Sequence, residues 1–166
     1  LWLDWADRYR VTNTWAPNFA MALVSERAAE IAERSWDLSR LRDVVNAGEP
    51  VIAATSRRFL ELLAPHGLPA DAMVPCWGMS ETCSGVTYTR QSREDHTAGT
   101  VAIDPASLGG TIRHLVPADQ DAVVLTRVGR PIPGVRLRVV DDAGRVLPEG
   151  RMGELRITGP TIMAGY

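Results

Sequence analysis

The amino-acid sequence predicts an α/β fold: a flavodoxin-like parallel-sheet layer followed by a small antiparallel β subdomain. Three observations carry this. Strand and helix patterns alternate through the first half of the chain, which is the signature of βαβ units and a parallel sheet. Beyond Val123 the pattern changes to period-two alternation broken by turn residues. Between them, residues 91–122 are polar, carry Gly109-Gly110, and hold no sustained period. The organisation read from this is an α/β subdomain over 1–90, an insertion or long connection over 91–122, and a truncated β-rich subdomain over 123–166.

The elements follow in order. Val11 to Trp15 reads as a strand, and Pro17 to Arg34 as a helix rich in Ala, Met and Leu. Pro17 suits a first helical turn, where its missing N–H would be unpaired in any case. Leu41 to Asn46 is a second strand. Val51 to Leu63 is a helix, with Ile52, Phe59, Leu60 and Leu63 spaced for a single face. Met73 to Trp77 is a third strand, running into a turn at Gly78. In the second half, Val135, Leu137 and Val139 alternate with Arg136 and Arg138, giving one apolar and one wet face. Asp141-Asp142-Ala143-Gly144 is a turn, Val146-Leu147 begins a returning strand, and Leu155 and Ile157 alternate again.

Composition narrows the function. With 45% hydrophobic and 23% charged residues, the 166-residue chain can bury a core and is not a disordered segment. A net charge of −2 is too near zero to suggest nucleic-acid binding, and no nucleic-acid partner is expected. The arginines at 127, 130, 136 and 138 read as a solvated strand face. Cys76 and Cys83 are too few for a disulfide framework and point to a reducing, cytoplasmic setting. His66, His96 and His114 lack ligand spacing. No apolar run is long enough to cross a bilayer, so no membrane partner is expected. The chain opens without Met and closes on Tyr166 directly after a strand-rich stretch, which predicts an excerpt from a larger polypeptide.

Two loops hold residue types suited to chemistry, and both follow predicted strands, where parallel sheets bind ligands. Asn46-Ala47-Gly48-Glu49-Pro50 places a glycine where backbone can approach a flat ligand. Trp77-Gly78-Met79-Ser80-Glu81-Thr82 offers an aromatic face, a glycine, a hydroxyl for phosphate and a carboxylate for Mg²⁺. Either loop alone is equally an ordinary strand-to-helix turn or a capped helix start.

With a third element the set becomes specific. The turn Gly129-Arg130-Pro131-Ile132-Pro133-Gly134, the strand Gly153-Glu154-Leu155-Arg156-Ile157-Thr158-Gly159 and the pair Gly165-Tyr166 follow the two loops in order. This ordered series resembles the adenylate-forming superfamily of acyl-CoA synthetases, adenylation domains and luciferases. Thr14-Trp15-Ala16-Pro17-Asn18-Phe19-Ala20 and the long stretch between Tyr88 and Val128 are similar to fatty acyl-AMP ligases and to acid-loading domains of polyketide synthase assembly lines. Amino-acid-activating relatives carry an aspartate just upstream of the position of Asn18 and Phe19. None stands in that segment here, which tilts the substrate away from amino acids.

The resemblance implies roles by position. Adenine would lie between Gly48-Glu49-Pro50 and Trp77, with Gly78 and Met79 completing the nucleotide side. Trp77 stands where the family more often has Tyr. Ser80 would bond phosphate, and Glu81 would hold Mg²⁺. Asn18, Phe19, Cys83, Ser84 and Gly85 would border the acyl pocket. The implied reaction joins a carboxylic acid to ATP as acyl-AMP, then passes the acyl group to the phosphopantetheine thiol of an acyl carrier protein. The family's Lys-bearing phosphate loop, ribose-binding Asp and catalytic Lys have no counterpart here, and all 18 basic residues are Arg, so the chain alone is expected to be close to inactive. Three alternatives remain: an amino-acid-activating adenylation domain, a noncatalytic nucleotide-binding module, and an unrelated flavodoxin-like domain fused to a β unit.

Overall fold

The computed structural model describes residues 2–166. Four α-helices precede most of the β structure: α1 (Trp2–Arg8), α2 (Asn18–Ser25), α3 (Ala28–Ala32) and α4 (Ala53–Leu63). The strands are β1 (Asn13–Ala16), β2 (Asp43–Asn46), β3 (Met73–Gly78), β4 (Gly85–Tyr88), β5 (Thr100–Ile103), β6 (Val123–Thr126), β7 (Arg130–Pro131), β8 (Arg136–Val140) and β9 (Glu154–Thr158). They form a five-stranded sheet in the order β1-β2-β3-β4-β7 and two antiparallel pairs, β5-β6 and β8-β9. Strands β1, β2 and β3 are parallel, whereas β4 and β7 join antiparallel. The α/β class and the antiparallel second half are therefore as expected from the sequence.

Helix α4 forms because its apolar residues recur at helical spacing: Ala53, Ser56, Phe59, Leu60 and Leu63 make one buried face. Phe59, Leu60 and Leu63 are fully buried against Leu3, Met21, Val24, Ile31, Val44 and Met73. Each such side chain contributes about 1.5–3 kcal/mol by leaving water. This core lies on one face of the parallel strands and fixes where their carboxyl ends emerge.

Three local readings are corrected. The helix expected over Pro17 to Arg34 is two helices, because the chain leaves the helical path at Arg27 (φ −99°, ψ 30°). Ser25 turns its hydroxyl onto the Met21 carbonyl, and Arg58 takes the Ser25 carbonyl from outside the helix, so the last turn of α2 is satisfied without continuing. The span 91–122 holds a strand, β5, that pairs with β6 over Thr100–Ile103; its four residues are too few to show a period. Val146-Leu147 makes a single bridge, Val140 to Val146, rather than a strand.

Candidate functional site

Strands β1 and β2 end level at Ala16 and Asn46, β3 runs three residues beyond its pairing at Pro75 to end at Gly78, and the two loops singled out above leave from this edge. A buried amide network holds it. Asn46 donates from Nδ2 to Asn18 Oδ1 and Ser56 Oγ, both at 3.4 Å. Asn18 Oδ1 also accepts the Ile52 N–H at 3.1 Å. One amide thus pins the end of β2, the start of α2 and the start of α4. Asn18 is buried and spent on this network, and it reaches neither cleft described below.

Glu49 ties the glycine loop to the same corner. Its Oε1 accepts the Phe19 backbone N–H at 2.5 Å, in the first turn of α2. Pro17 offers no side-chain cap there, so a carboxylate from across the corner satisfies the orphan donor and complements the helix dipole. The Phe19 ring is itself exposed and lines neither cleft.

Two clefts meet at this edge. One, of ≈ 360 Å³, lies between Gly48-Glu49-Pro50-Val51 and Trp77-Gly78, with Val128 at its side. The sequence-predicted adenine residues Gly48, Glu49, Pro50, Trp77 and Gly78 are brought together there. A flat heterocycle fits between an indole face and this loop, while the Cβ that Gly48 lacks, at φ +91°, would face the Trp15 ring at 3.4 Å. The second cleft, of ≈ 310 Å³, lies on the sheet face turned away from α2 and α4. The register explains its floor: Trp15 pairs with Val45, and Cys76 pairs with Tyr88. Cross-strand partners share a face, so a row of side chains lies open where no helix of the chain packs. Met79, Ser80, Cys83, Ser84 and Gly85 rim this second cleft. Gly48, Cys76 and Gly78 line both clefts, so the two are continuous over this saddle.

The rim is a tight turn. Ser80–Thr82 is one turn of 3₁₀ helix, and Cys83 follows in the left-handed region at φ 65°. The buried Thr82 hydroxyl holds it: Oγ1 accepts the Met79 N–H at 3.1 Å and lies 2.8 Å from Met79 O and 2.7 Å from Ser84 O. Gly78 permits the turn to close, since a Cβ there would lie 2.2 Å from the Ser84 carbonyl oxygen. Ser80 is exposed, and its hydroxyl engages none of the described residues. Glu81 is reached by the chain end: its carbonyl accepts the Met163 N–H at 2.9 Å, and its Oε1 accepts the Tyr166 hydroxyl at 2.5 Å. The phenol hydrogen bond holds the Glu81 carboxyl below its ordinary range. Burial pushes the Cys76 thiol and the Tyr88 phenol up, so both stay neutral at physiological pH.

Trp15, Val45, Ala47, Cys76 and Tyr88 were not named as site residues from the sequence. Trp15 and Val45 stand at matching positions of two parallel strands, and only the register shows that they share a face. Among the described residues no three His, Cys, Asp or Glu side chains converge to hold a metal ion, and no helix is long and apolar enough to cross a membrane.

Comparison with known proteins bears on what such a site does. A family model described as AMP-binding enzyme matches residues 1–166. A solved adenylation domain of a keto acid-selecting NRPS module, bound to keto acyl adenylate, superposes with a TM-score of 0.95 and is 43% identical, covering 99% of this chain and 31% of that one. The McyG A-PCP structure complexed with phenylalanyl-adenylate is 34% identical with a TM-score of 0.79, over 99% of this chain and 22% of its own. The nonribosomal peptide synthetase apvA of Aspergillus terreus (strain NIH 2624 / FGSC A1156) is 30% identical over 168 residues, 99% of this chain. The chain spans only 16% of that relative's length.

Proposed function

We propose, from the premise that the chain belongs to the AMP-binding enzyme family, that it supplies the adenine- and acyl-facing walls of a domain that converts a carboxylic acid and ATP into acyl-AMP and pyrophosphate. The observation that carries this reading is the pair of clefts joined over Gly48 and Gly78, with the Ser80-Glu81 turn on the rim. Adenine occupies the cleft between Gly48-Glu49-Pro50 and Trp77. The acyl group lies on the floor of Trp15, Val45, Cys76 and Tyr88, bordered by Cys83, Ser84 and Gly85.

The α-phosphate then sits at the saddle, within reach of the uncommitted Ser80 hydroxyl. A carboxylate oxygen of the acid attacks the α-phosphorus, and the bond to pyrophosphate breaks with its electron pair leaving on the pyrophosphate. Ser80 donates a hydrogen bond to the phosphate oxygens as they gain charge. Glu81 fits a Mg²⁺ site, since an exposed carboxylate with one oxygen committed leaves the other available, and magnesium needs only one or two protein carboxylates. When bound, Mg²⁺ neutralises charge on the phosphate oxygens.

The acid we favour carries no α-ammonium, and a keto acid is its leading candidate. Among the described residues no Asp or Glu lines the acyl cleft to pair an ammonium group, and the keto acid-selecting relative shares 43% of residues with this chain. An amino acid is the second reading, prompted by the likeness to the phenylalanyl-adenylate structure. The acceptor of the acyl group is the phosphopantetheine thiol of a carrier protein.

The test is acid-dependent exchange of labelled pyrophosphate into ATP by the full-length protein that carries this chain. Keto acids, the matching amino acids and simple fatty acids are each supplied. Exchange with keto acids supports the first reading, and exchange with amino acids alone would replace it by the second. No exchange with any acid would overturn the activity itself.

A further inference from the structure

The ladder between β3 and β4 has one irregularity, at the root of the rim turn. Cys76 pairs with Tyr88 and Trp77 with Thr87, but Gly78 pairs with Gly85, so Val86 is an extra residue on β4. Such a β-bulge interrupts the alternation of side chains. Three residues apart on a regular strand, Gly85 and Tyr88 would face opposite sides of the sheet; across the bulge they share one. The packing agrees, since a Cβ built on Gly85 would lie 2.1 Å from Cys76 Sγ and 2.6 Å from the Tyr88 hydroxyl. With no Cβ in the way, the phenol reaches back over the bulge and donates to the Gly85 carbonyl at 3.1 Å. The two ends of this bond are held differently. Tyr88 is paired on both sides, to Cys76 in β3 and to Arg130 in β7. Gly85 follows a strained turn, in which Cys83 carries a side chain at φ 65°, and strained backbone persists only where its surroundings hold it. Thr82 holds this turn from inside, and the Tyr88 phenol ties its exit to the sheet. Within the turn the Cys83 N–H donates to the Ser80 carbonyl at 3.0 Å, which links the exit to Ser80.

We propose that Tyr88 is a positioning residue for acyl-AMP formation, its phenol fixing the rim turn so that Ser80 meets the phosphate, an inference that rests on the acyl-AMP-forming reading above. The hydroxyl acts through the Gly85 carbonyl and the turn. The adenine grip is independent of it, because Trp77 lies on the regular side of the bulge and Gly48-Glu49-Pro50 leaves from β2. Loss of the hydroxyl therefore reaches the step at phosphorus and spares the hold on adenine.

The experiment uses Tyr88→Phe, which keeps the ring and removes the hydroxyl, in the full-length protein. Its kcat for acid-dependent pyrophosphate exchange should fall about tenfold, short of the about 100-fold that a 1 Å misplacement costs. Tyr88 is 39% exposed, so water replaces part of the bond. The KM for ATP should not change. In a Ser80→Ala background the same substitution should lower kcat by less than about twofold, because residues that act through one another do not add. An undiminished kcat in Tyr88→Phe, or equal losses in the two backgrounds, would overturn the proposal. Amide hydrogen exchange gives a second readout that needs no activity, and it decides where the Ser80→Ala parent is too slow to measure. Peptides spanning 79–85 should exchange about fivefold faster in Tyr88→Phe, the equilibrium factor of one net hydrogen bond, while those of α4 keep their rates. Unchanged exchange over 79–85, or equal acceleration in α4, would overturn the proposal as well. A wild-type protein inactive with every acid would overturn the acyl-AMP reading and Tyr88's part in it, while faster exchange over 79–85 would still establish the phenol's hold on the turn.

Discussion

Replacing Thr82 by Val tests whether the catalytic-rim geometry depends on one buried hydroxyl. The substitution conserves shape and removes a group that is 1% exposed. Two interactions are lost. The Met79 N–H loses its acceptor at 3.1 Å, and the single hydroxyl proton no longer serves Met79 O or Ser84 O, at 2.8 and 2.7 Å. A donated bond between neutral groups is worth about 0.5–1.5 kcal/mol net, and an orphaned buried donor costs about 1–3 kcal/mol. Met79 is 42% exposed, so water recovers part of the second term. The expected loss is therefore about 2 kcal/mol, or about 4–8 °C in Tm for a chain of this size. Thr82→Ser retains the hydroxyl and should lose less than half of that. Urea denaturation of the two variants beside the parent measures both values. In the full-length protein, Thr82→Val should also lower kcat more than it raises the KM for the acid, because Ser80 and Glu81 sit on the turn it holds. A Thr82→Val midpoint within about 0.5 kcal/mol of the parent, the range of an ordinary surface change, would refute the reasoning.

Gly129→Ala and Gly150→Ala form a matched pair, since both glycines have φ near +80°, yet only Gly129 has its Cβ position occupied, 1.8 Å from the Tyr88 carbonyl oxygen. Gly150→Ala should cost about 1 kcal/mol and Gly129→Ala at least about 3 kcal/mol by urea denaturation; equal costs would remove the clash from the account. Asp37 is held at about 2 by hydrogen bonds from Ser39 and by the Arg10 guanidinium. Its folded value is depressed, so its contribution is complete above the ordinary 3.8 and is lost as pH falls toward about 2; Asp37→Asn should flatten the stability profile over that window, and an unaltered slope would count against it. Tyr166→Phe removes the phenol from Glu81, so the Glu81 carboxyl should titrate at higher pH by carbon NMR, and an unmoved titration would show that the contact is not kept in solution.

How much of this was legible follows from which interactions are local. Gly48-Glu49-Pro50 and Trp77-Gly78 could be read because each sits in a loop where residue type alone restricts backbone or ligand approach, and the structure places the two loops at one cleft. The placing of both at the carboxyl edge was likewise readable, because three strands separated by helical patterns leave a parallel sheet few alternatives. The break between α2 and α3 was not, because no residue type marks Arg27, where the chain leaves the helical path, and the Ser25 carbonyl is met by Arg58 from another helix. Asn18 shows the same limit in a site residue: its position before an apolar helix is compatible with a pocket wall, and only the long-range bonds from Ile52 and Asn46 reveal that its amide is committed inside.

The acyl floor is the part the sequence conceals most fully, and the reason lies in strand pairing. Trp15, Val45, Cys76 and Tyr88 belong to four strands, and nothing in their spacing along the chain relates them. Their alignment follows from register, and a slip of one residue in any strand would turn its member to the helix-packed face. That register is enforced from the opposite face, where Val44, Asn46 and Met73 are buried against α2 and α4. The core therefore specifies the site indirectly: by fixing which residues must be inside, it leaves the alternate positions to face the cleft. Val44→Ala, remote from the ligand, is therefore expected to raise the KM for the acid more than the KM for ATP in the full-length protein, because Gly48 and Trp77 are positioned by their own loops; equal changes in the two KM values would refute this.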